Sequence, residues 1–143
     1  MVKSIQPKSK GMQMFTETIS IPCLRLLKDL PNNLFMENFY LVGGTSLALQ
    51  IGHRKSIDLD FFTQKKFDKQ EIFKELKIRY SSEKLVNNKF AGIELNDIKI
   101  DFVYWAYPNH YPLIRWERIR FLDKRDIGFF KLMALIGRNR KKD

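Results

Sequence analysis

The sequence predicts a mixed α/β fold of the α+β kind, one mixed β-sheet with helices packed against it. Three observations predict it. Apolar residues recur at helical spacing over 14–30 and 127–136. Residues 56–63 alternate with a period of two. Three short β-prone runs between 84 and 105 are separated by asparagine-containing pairs. A length of 143 residues, 44% hydrophobic and 29% charged, suits a single domain with its own core.

The elements follow in order. Residues 1–11 carry little apolar content and are expected to form a flexible arm, leaving 12–143 as the domain. Met14, Phe15, Ile19, Leu24, Leu27 and Leu30 then mark a helical region that stops at Pro31-Asn32-Asn33. Pro22 predicts a break within it, or a second helix start capped by Ser20. Phe39 to Val42 reads as a short buried strand ended by Gly43-Gly44. Thr45 is the expected N-cap of a helix that stops at Gly52.

Over 56–63, Ile57, Leu59 and Phe61 fall on one face of a strand and Asp58, Asp60 and Phe62 on the other. Asp68 is placed to cap a helix reaching about Ile78. Lys84–Val86, Phe90–Leu95 and Ile98–Trp105 read as an antiparallel meander turning at Asn87-Asn88 and Asn96-Asp97. A Pro- and aromatic-rich stretch, Tyr107 to Trp116, precedes a last helix through Ile127, Phe130, Met133 and Ile136. That helix is expected to end near Gly137.

No apolar run approaches the roughly 18 residues of a membrane span, and no apolar signal core follows the charged start MVKSIQPKSK. The expectation is a soluble, cytoplasmic protein with no membrane partner. A lone cysteine, Cys23, fits a reducing compartment and reads most simply as a small buried side chain. The 26 Lys and Arg against 16 Asp and Glu leave a net charge of +10, and residues 111–143 alone hold ten basic and four acidic side chains. Such a surface attracts phosphate-bearing partners: RNA, DNA or nucleoside triphosphates.

Asp58 and Asp60 are the sharpest local feature. Carboxylates at i and i+2 of a strand share a face with Cα atoms roughly 7 Å apart, near enough to converge on one hard cation. Asp-x-Asp alone also occurs on surface strands, but here it is set among Ile57, Leu59, Phe61 and Phe62, where an unpaired carboxylate is costly. Asp101 joins the same face if its strand lies beside the first; its plainer reading is a surface acid paired with a lysine. Three carboxylates on Mg2+ or Mn2+ form the arrangement that two-metal phosphoryl transfer requires.

Gly43-Gly44-Thr45-Ser46 lies between a strand and a helix, where main-chain N–H groups and two hydroxyls can face an anion, although a glycine pair alone is more often a mere turn. Arg54 is placed to brace a carboxylate or a phosphate. His53 beside it reads equally as a solvated helix end. Trp105, Tyr107 and Trp116 can stack a base or simply finish a core. Arg138, Arg140, Lys141 and Lys142 follow a nucleic-acid backbone or form a soluble terminus.

The runs Gly43-Gly44-Thr45-Ser46-Leu47 and Gly52-His53-Arg54-Lys55-Ser56-Ile57-Asp58-Leu59-Asp60-Phe61-Phe62 together resemble the signature of the nucleotidyltransferase AbiEii/AbiGii toxin family, in the DNA polymerase β-like superfamily. Lys131 to Asp143 resembles the family's later motif, a helix with a lysine followed by arginine and a basic-acidic pair. The resemblance covers roughly residues 12–143. It implies a polymerase-β-like nucleotidyltransferase core with Mg2+ (or Mn2+) on Asp58, Asp60 and Asp101. Gly43, Gly44, Thr45, Ser46, Arg54, Ser56 and Lys131 are the candidate nucleotide-binding residues.

The implied activity moves a nucleoside monophosphate from an NTP to a hydroxyl acceptor, with RNA, tRNA in particular, favoured. The implied setting is a bacterial toxin–antitoxin or phage-defence system, and hence a cognate antitoxin. Family members usually continue into a further helical region, so a domain lacking that region is expected here. The competing expectation is a catalytically silent homologue that binds nucleic acid or protein.

Overall fold

A computed structural model describes residues 13–88 and 92–142, with side chains up to Gly137. The predicted arm over 1–11 lies outside the described residues, as do the side chains of Arg138, Arg140, Lys141 and Lys142. Helix α1 (Ile21–Asp29) begins where the extended Ser20 accepts a hydrogen bond from the Cys23 N–H at 3.2 Å, with Pro22 in its first turn. The stretch before it forms only a 3₁₀ turn at Thr16–Thr18, so Pro22 marks a start and not a kink.

The chain then enters strand β1 (Tyr40–Val42) and passes directly into helix α2 (Gly43–Ile51), which closes on Gly52 in the left-handed region, φ 65°. Strand β2 (Leu59–Thr63), helix α3 (Lys69–Arg79) and the meander β3 (Leu85–Asn88), β4 (Gly92–Leu95) and β5 (Ile98–Tyr104) follow. Asp68 caps α3 by accepting from the Gln70 N–H at 2.8 Å, as its position in the sequence predicts.

Two further strands, β6 (Ile114–Trp116) and β7 (Ile119–Phe121), lead into helix α4 (Lys124–Lys142). The seven strands among the described residues form one mixed sheet in the order β3-β4-β5-β2-β1-β7-β6. β2 runs parallel to β5 and antiparallel to β1, and β1 runs parallel to β7. This is the predicted mixed α/β architecture.

Strand alternation divides the sheet into two faces. Leu41, Leu59, Phe61, Ile100 and Phe102 point into the main core with α1 and α3. Phe102 lies within 5.1 to 5.7 Å, centroid to centroid, of Phe35, Phe39 and Phe61. Truncating it to alanine would cost about 3–5 kcal/mol. Tyr40 and Val42 point the other way and pack with Leu113, Leu122 and Ile127, with Phe62 and Phe130 against that second cluster. α4 therefore roofs the face that carries Asp60 and Asp101.

Several expectations are corrected. Thr45 is not an N-cap: α2 starts at Gly43, and the Thr45 hydroxyl is bonded to Ser56 and to the Asp58 carbonyl. Ile57 is 79% exposed, because the strand starts at Leu59 and the preceding chain is held away by the Ser56 N–H to Thr18 O bond. Asn87 and Asn88 belong to β3, paired with Ile93 and Gly92, and so are not the predicted turn. Asn96 and Asp97 do turn at positive φ, 51° and 67°.

The hairpin β6–β7 stands where no strand is predicted, its first strand closing the Pro- and aromatic-rich stretch. The last helix starts at Lys124, held by the Asp123 carboxylate accepting from the Arg125 N–H at 2.8 Å. It runs through Gly137, which is not among the glycines of positive φ and so cannot end it as Gly52 ends α2.

Candidate active site

The site forms where β1 hands over to α2. Gly43 has φ +73°, and a Cβ added there would stand 2.8 Å from the Asp60 Oδ2, so the carboxylate lies directly against the glycine backbone. A Cβ on Gly44 would strike the Arg54 guanidinium and come within 3.8 Å of Ser56 Oγ. Arg54 thus rests over the N-terminus of α2, an exposed cation beside the positive end of a helix, and makes no ion pair among the described residues. Two positive elements side by side lower their energy by sharing an anion.

The parallel pairing of β2 and β5 sets Asp60 opposite Asp101. Asp60 is half-buried, and its carboxyl is pushed above the ordinary range by burial first, then by the charges of Asp101 and Asp58; Lys99 opposes the shift. Lys99 Nζ stands 3.7 Å from Asp101 Oδ2. Asp58 lies just before β2, and its charge also contributes, after burial, to pushing the Cys23 thiol up to about 11.

Among the described residues, no three His, Cys, Asp or Glu side chains are already drawn together as a metal cage. The donor set still fits a hard divalent cation. Two carboxylates in register, one raised by its burial and then by the other's charge, are an oxygen pair that a cation would relieve. Asp58, two residues before Asp60 and just ahead of β2, is the nearest further carboxylate in the sequence.

Thr45 and Ser46 are buried and face inward. Thr45 Oγ1 lies 2.6 Å from Ser56 Oγ, while Ser46 Oγ and Gln50 Nε2 bond the Leu122 carbonyl at 3.5 and 2.8 Å. These hydroxyls tie α2 to the loop before β2 and to the end of β7. What this turn offers outward is backbone, at Gly43 and Gly44.

Lys131, on α4, lines the same pocket as Gly43, Asp60 and Asp101, a space of about 310 Å3 that Phe62 and Phe130 also line. The structure therefore brings Gly43, Asp60, Asp101 and Lys131 together, with Gly44, Arg54 and Ser56 grouped at the neighbouring helix start. His53 is exposed. Trp105 packs on Phe62 beside the pocket, whereas Trp116 is buried in the main core beneath Lys28. Sequence reasoning missed Lys99, although its place two residues before Asp101 on a strand puts it on the same face.

A half-buried acid pair, a glycine turn at a helix start, and two cations at the rim thus gather on one face of a mixed sheet. Residues 25–143 match the model of the AbiEii family, described as nucleotidyl transferase AbiEii toxin, type IV TA system, and the chain belongs to that family. It is similar to an uncharacterized protein of Aquifex aeolicus (strain VF5), 35% identical over 114 residues, which covers 74% of this chain and 54% of that protein. The chain thus spans about half the length of the curated relative it matches. No solved structure matches it significantly. Among the described residues no helix is long and apolar enough to cross a membrane.

Proposed function

We propose that the chain carries the catalytic core of a toxin that transfers a nucleoside monophosphate from an NTP to an acceptor hydroxyl, RNA and in particular tRNA being the favoured acceptor. The observation that carries this reading is Asp60, half-buried, pressed against Gly43 and in register with Asp101. Membership of a nucleotidyl transferase toxin family supports it.

Asp60 and Asp101, with Asp58 behind them, would hold Mg2+ or Mn2+; the metal would supply charge neutralisation and a lowered pKa for the attacking hydroxyl. The Gly43-Gly44 backbone at the start of α2, Arg54 and Lys131 neutralise and orient the triphosphate. The acceptor oxygen bonds to the α-phosphorus, the bond to the β-phosphate oxygen breaks, and pyrophosphate leaves with the charge these cations balance. The hydroxyl proton passes to a carboxylate of the acid group. Positioning and charge supply the catalysis, so no side-chain nucleophile is needed. The antitoxin, in this reading, is a separate cytoplasmic product.

Thermal unfolding with NTP and Mg2+ tests the reading. Ligand at 100 times its Kd stabilises the native state by about 2.7 kcal/mol. The expected result is a nucleotide shift that needs the metal and is lost in Asp60→Ala. A shift indifferent to both would contradict it.

A further inference from the structure

The β6–β7 hairpin carries three arginines that the proposed transfer does not use. Ile114, Trp116, Ile119 and Phe121 point into the main core, so alternation turns Arg115 and Arg120 onto the opposite face of the sheet. There the register sets them directly opposite each other. Cα atoms so paired lie about 4.5–5.5 Å apart, and like charges at that spacing destabilise a hairpin. Arg118 stands in the turn between the two strands.

No carboxylate offsets this charge: among the described residues none of the three arginines makes an ion pair. Arg120 is half-buried and donates to the carbonyls of Glu37 and Phe39, the latter at 3.1 Å. Burial first, and then the charge of Arg115, hold its guanidinium below the ordinary arginine range, while Glu37 and Tyr40 oppose the shift. Arg118 donates to Asn32 Oδ1 at 2.6 Å and to the Pro31 carbonyl at 2.9 Å, and Arg115 donates from Nε to the Glu117 carbonyl at 3.4 Å. Neutral oxygens thus fix the guanidinium positions and leave their charge in place. The three line a cleft of about 190 Å3 against residues 31–37, in which Glu37 is the one acid.

We infer that this cleft binds a backbone phosphate of the RNA acceptor, at a distance from the centre where transfer occurs. The inference rests on the reading of RNA as the acceptor. Arginine forks match phosphate oxygens. The cleft suits one such oxyanion, being smaller than the roughly 300 Å3 at which sites for whole small molecules begin. Strand β7 lies two strands from β2, about 10 Å across the sheet. Arg120 reaches toward the start of β1, whereas Gly43 follows its end. A nucleoside triphosphate held at the acids does not extend to this cleft; a folded RNA, charged along its whole length, does.

The test is anisotropy of a labelled RNA stem-loop over about 50–200 mM salt. Arg115→Gln should bind it about fivefold more weakly near the middle of that range, with a salt slope smaller by about 0.7–0.9, the share of one phosphate contact. Arg115→Glu should bind about tenfold more weakly. It should nevertheless melt about 1–3 °C higher than wild type, since it sets an opposite charge against Arg120. Its Mg2+-dependent nucleotide shift should equal that of wild type. Lys77→Glu, the same change of charge at an exposed position of α3, should alter RNA affinity by less than about twofold.

RNA affinity unchanged in both Arg115 variants overturns the inference and leaves RNA standing as the acceptor. A loss in Lys77→Glu equal to that in Arg115→Glu also overturns it, because net charge alone would then account for binding. Arg115→Glu melting below wild type overturns the claim that the arginine pair is kept against stability and makes Arg115 a structural residue. Polyglutamate that binds as tightly as the stem-loop, and is weakened by the same substitutions, overturns the phosphate in favour of an acidic protein. If wild type keeps its nucleotide shift but binds no RNA, the acceptor reading falls, and the inference falls with it.

Discussion

Replacing Asp60 by asparagine should make the metal-free protein more stable, because in wild type this carboxylate is held against its electrostatic preference. Asp60 sits opposite Asp101 on neighbouring strands, which lie about 4.8 Å apart. Two unit charges at that spacing repel by about 3 kcal/mol at an effective dielectric of 20. Asp101 is 40% exposed and has Lys99 beside it, so solvent and that counter-charge cut the repulsion to about 1 kcal/mol.

The pH dependence has a definite sign. The folded pKa of Asp60 is raised, so the native state binds the proton more tightly than the unfolded chain does. Its contribution to stability therefore falls as pH rises from the ordinary carboxylate range through the raised value. Differential scanning calorimetry without divalent ions should show Asp60→Asn melting about 3 °C above wild type at pH 7.5. At pH 3 the two should converge, and added Mg2+ should restore wild type but not the variant. A variant that melts below wild type at pH 7.5 would refute the reasoning, since the carboxylate would then be contributing stability.

The remaining predictions concern the surroundings of this acid. Gly43→Ala should cost about 1–2 kcal/mol through its left-handed backbone, and its Cβ, 2.8 Å from the Asp60 oxygen, should abolish the Mg2+-dependent nucleotide shift in the same melting assay. Gly44→Ala meets only the mobile end of Arg54, so its Tm should stay within about 1 °C of wild type while NTP affinity in titration falls several-fold. Cys23 is 1% exposed with its thiol pushed up to about 11, so a thiol reagent at pH 8 should label the native protein at least a hundred times more slowly than the urea-unfolded chain. Asp29 accepts from Arg79 at 2.9 and 2.7 Å and from the Tyr80 hydroxyl at 2.6 Å, which hold its carboxyl below the usual range. Asp29→Ala should cost about 1 kcal/mol at pH 7 by denaturant titration, and the difference should shrink as pH falls below the ordinary carboxylate value.

Much of the fold is legible where local chemistry decides it. Ser20 and Asp68 cap the helices that follow them, and Asn96-Asp97 takes the positive φ that its side chains tolerate. The hairpin β6–β7 is harder to read because its turn is Glu117-Arg118, with Glu117 at φ 55° and no glycine or asparagine to announce it. Its signal lies in the alternation itself, with Ile114, Trp116, Ile119 and Phe121 buried and arginines between them. The strand order is not local at all: nothing near Leu41 states that Phe121 will pair with it.

At the site, the spacing of Asp58 and Asp60 and the glycine pair are readable because the chemistry needs residue types at fixed intervals. The pairing of Asp60 with Asp101 depends on two strands brought together across the sheet, and the roofing of that face by α4 depends on packing. Thr45 shows the limit of motif reading, since its hydroxyl spends its hydrogen bonds on Ser56 and the Asp58 carbonyl and fixes the turn from within.

The most direct test of the account is transfer of label from each of the four α-labelled nucleoside triphosphates, with Mg2+ or Mn2+, into total RNA and total protein, alongside an Asp58→Ala/Asp60→Ala control. The account predicts metal-dependent label in RNA that the control loses. Label in protein alone would contradict the acceptor, and no label in either from demonstrably folded protein would contradict the catalytic reading and favour a silent binding module.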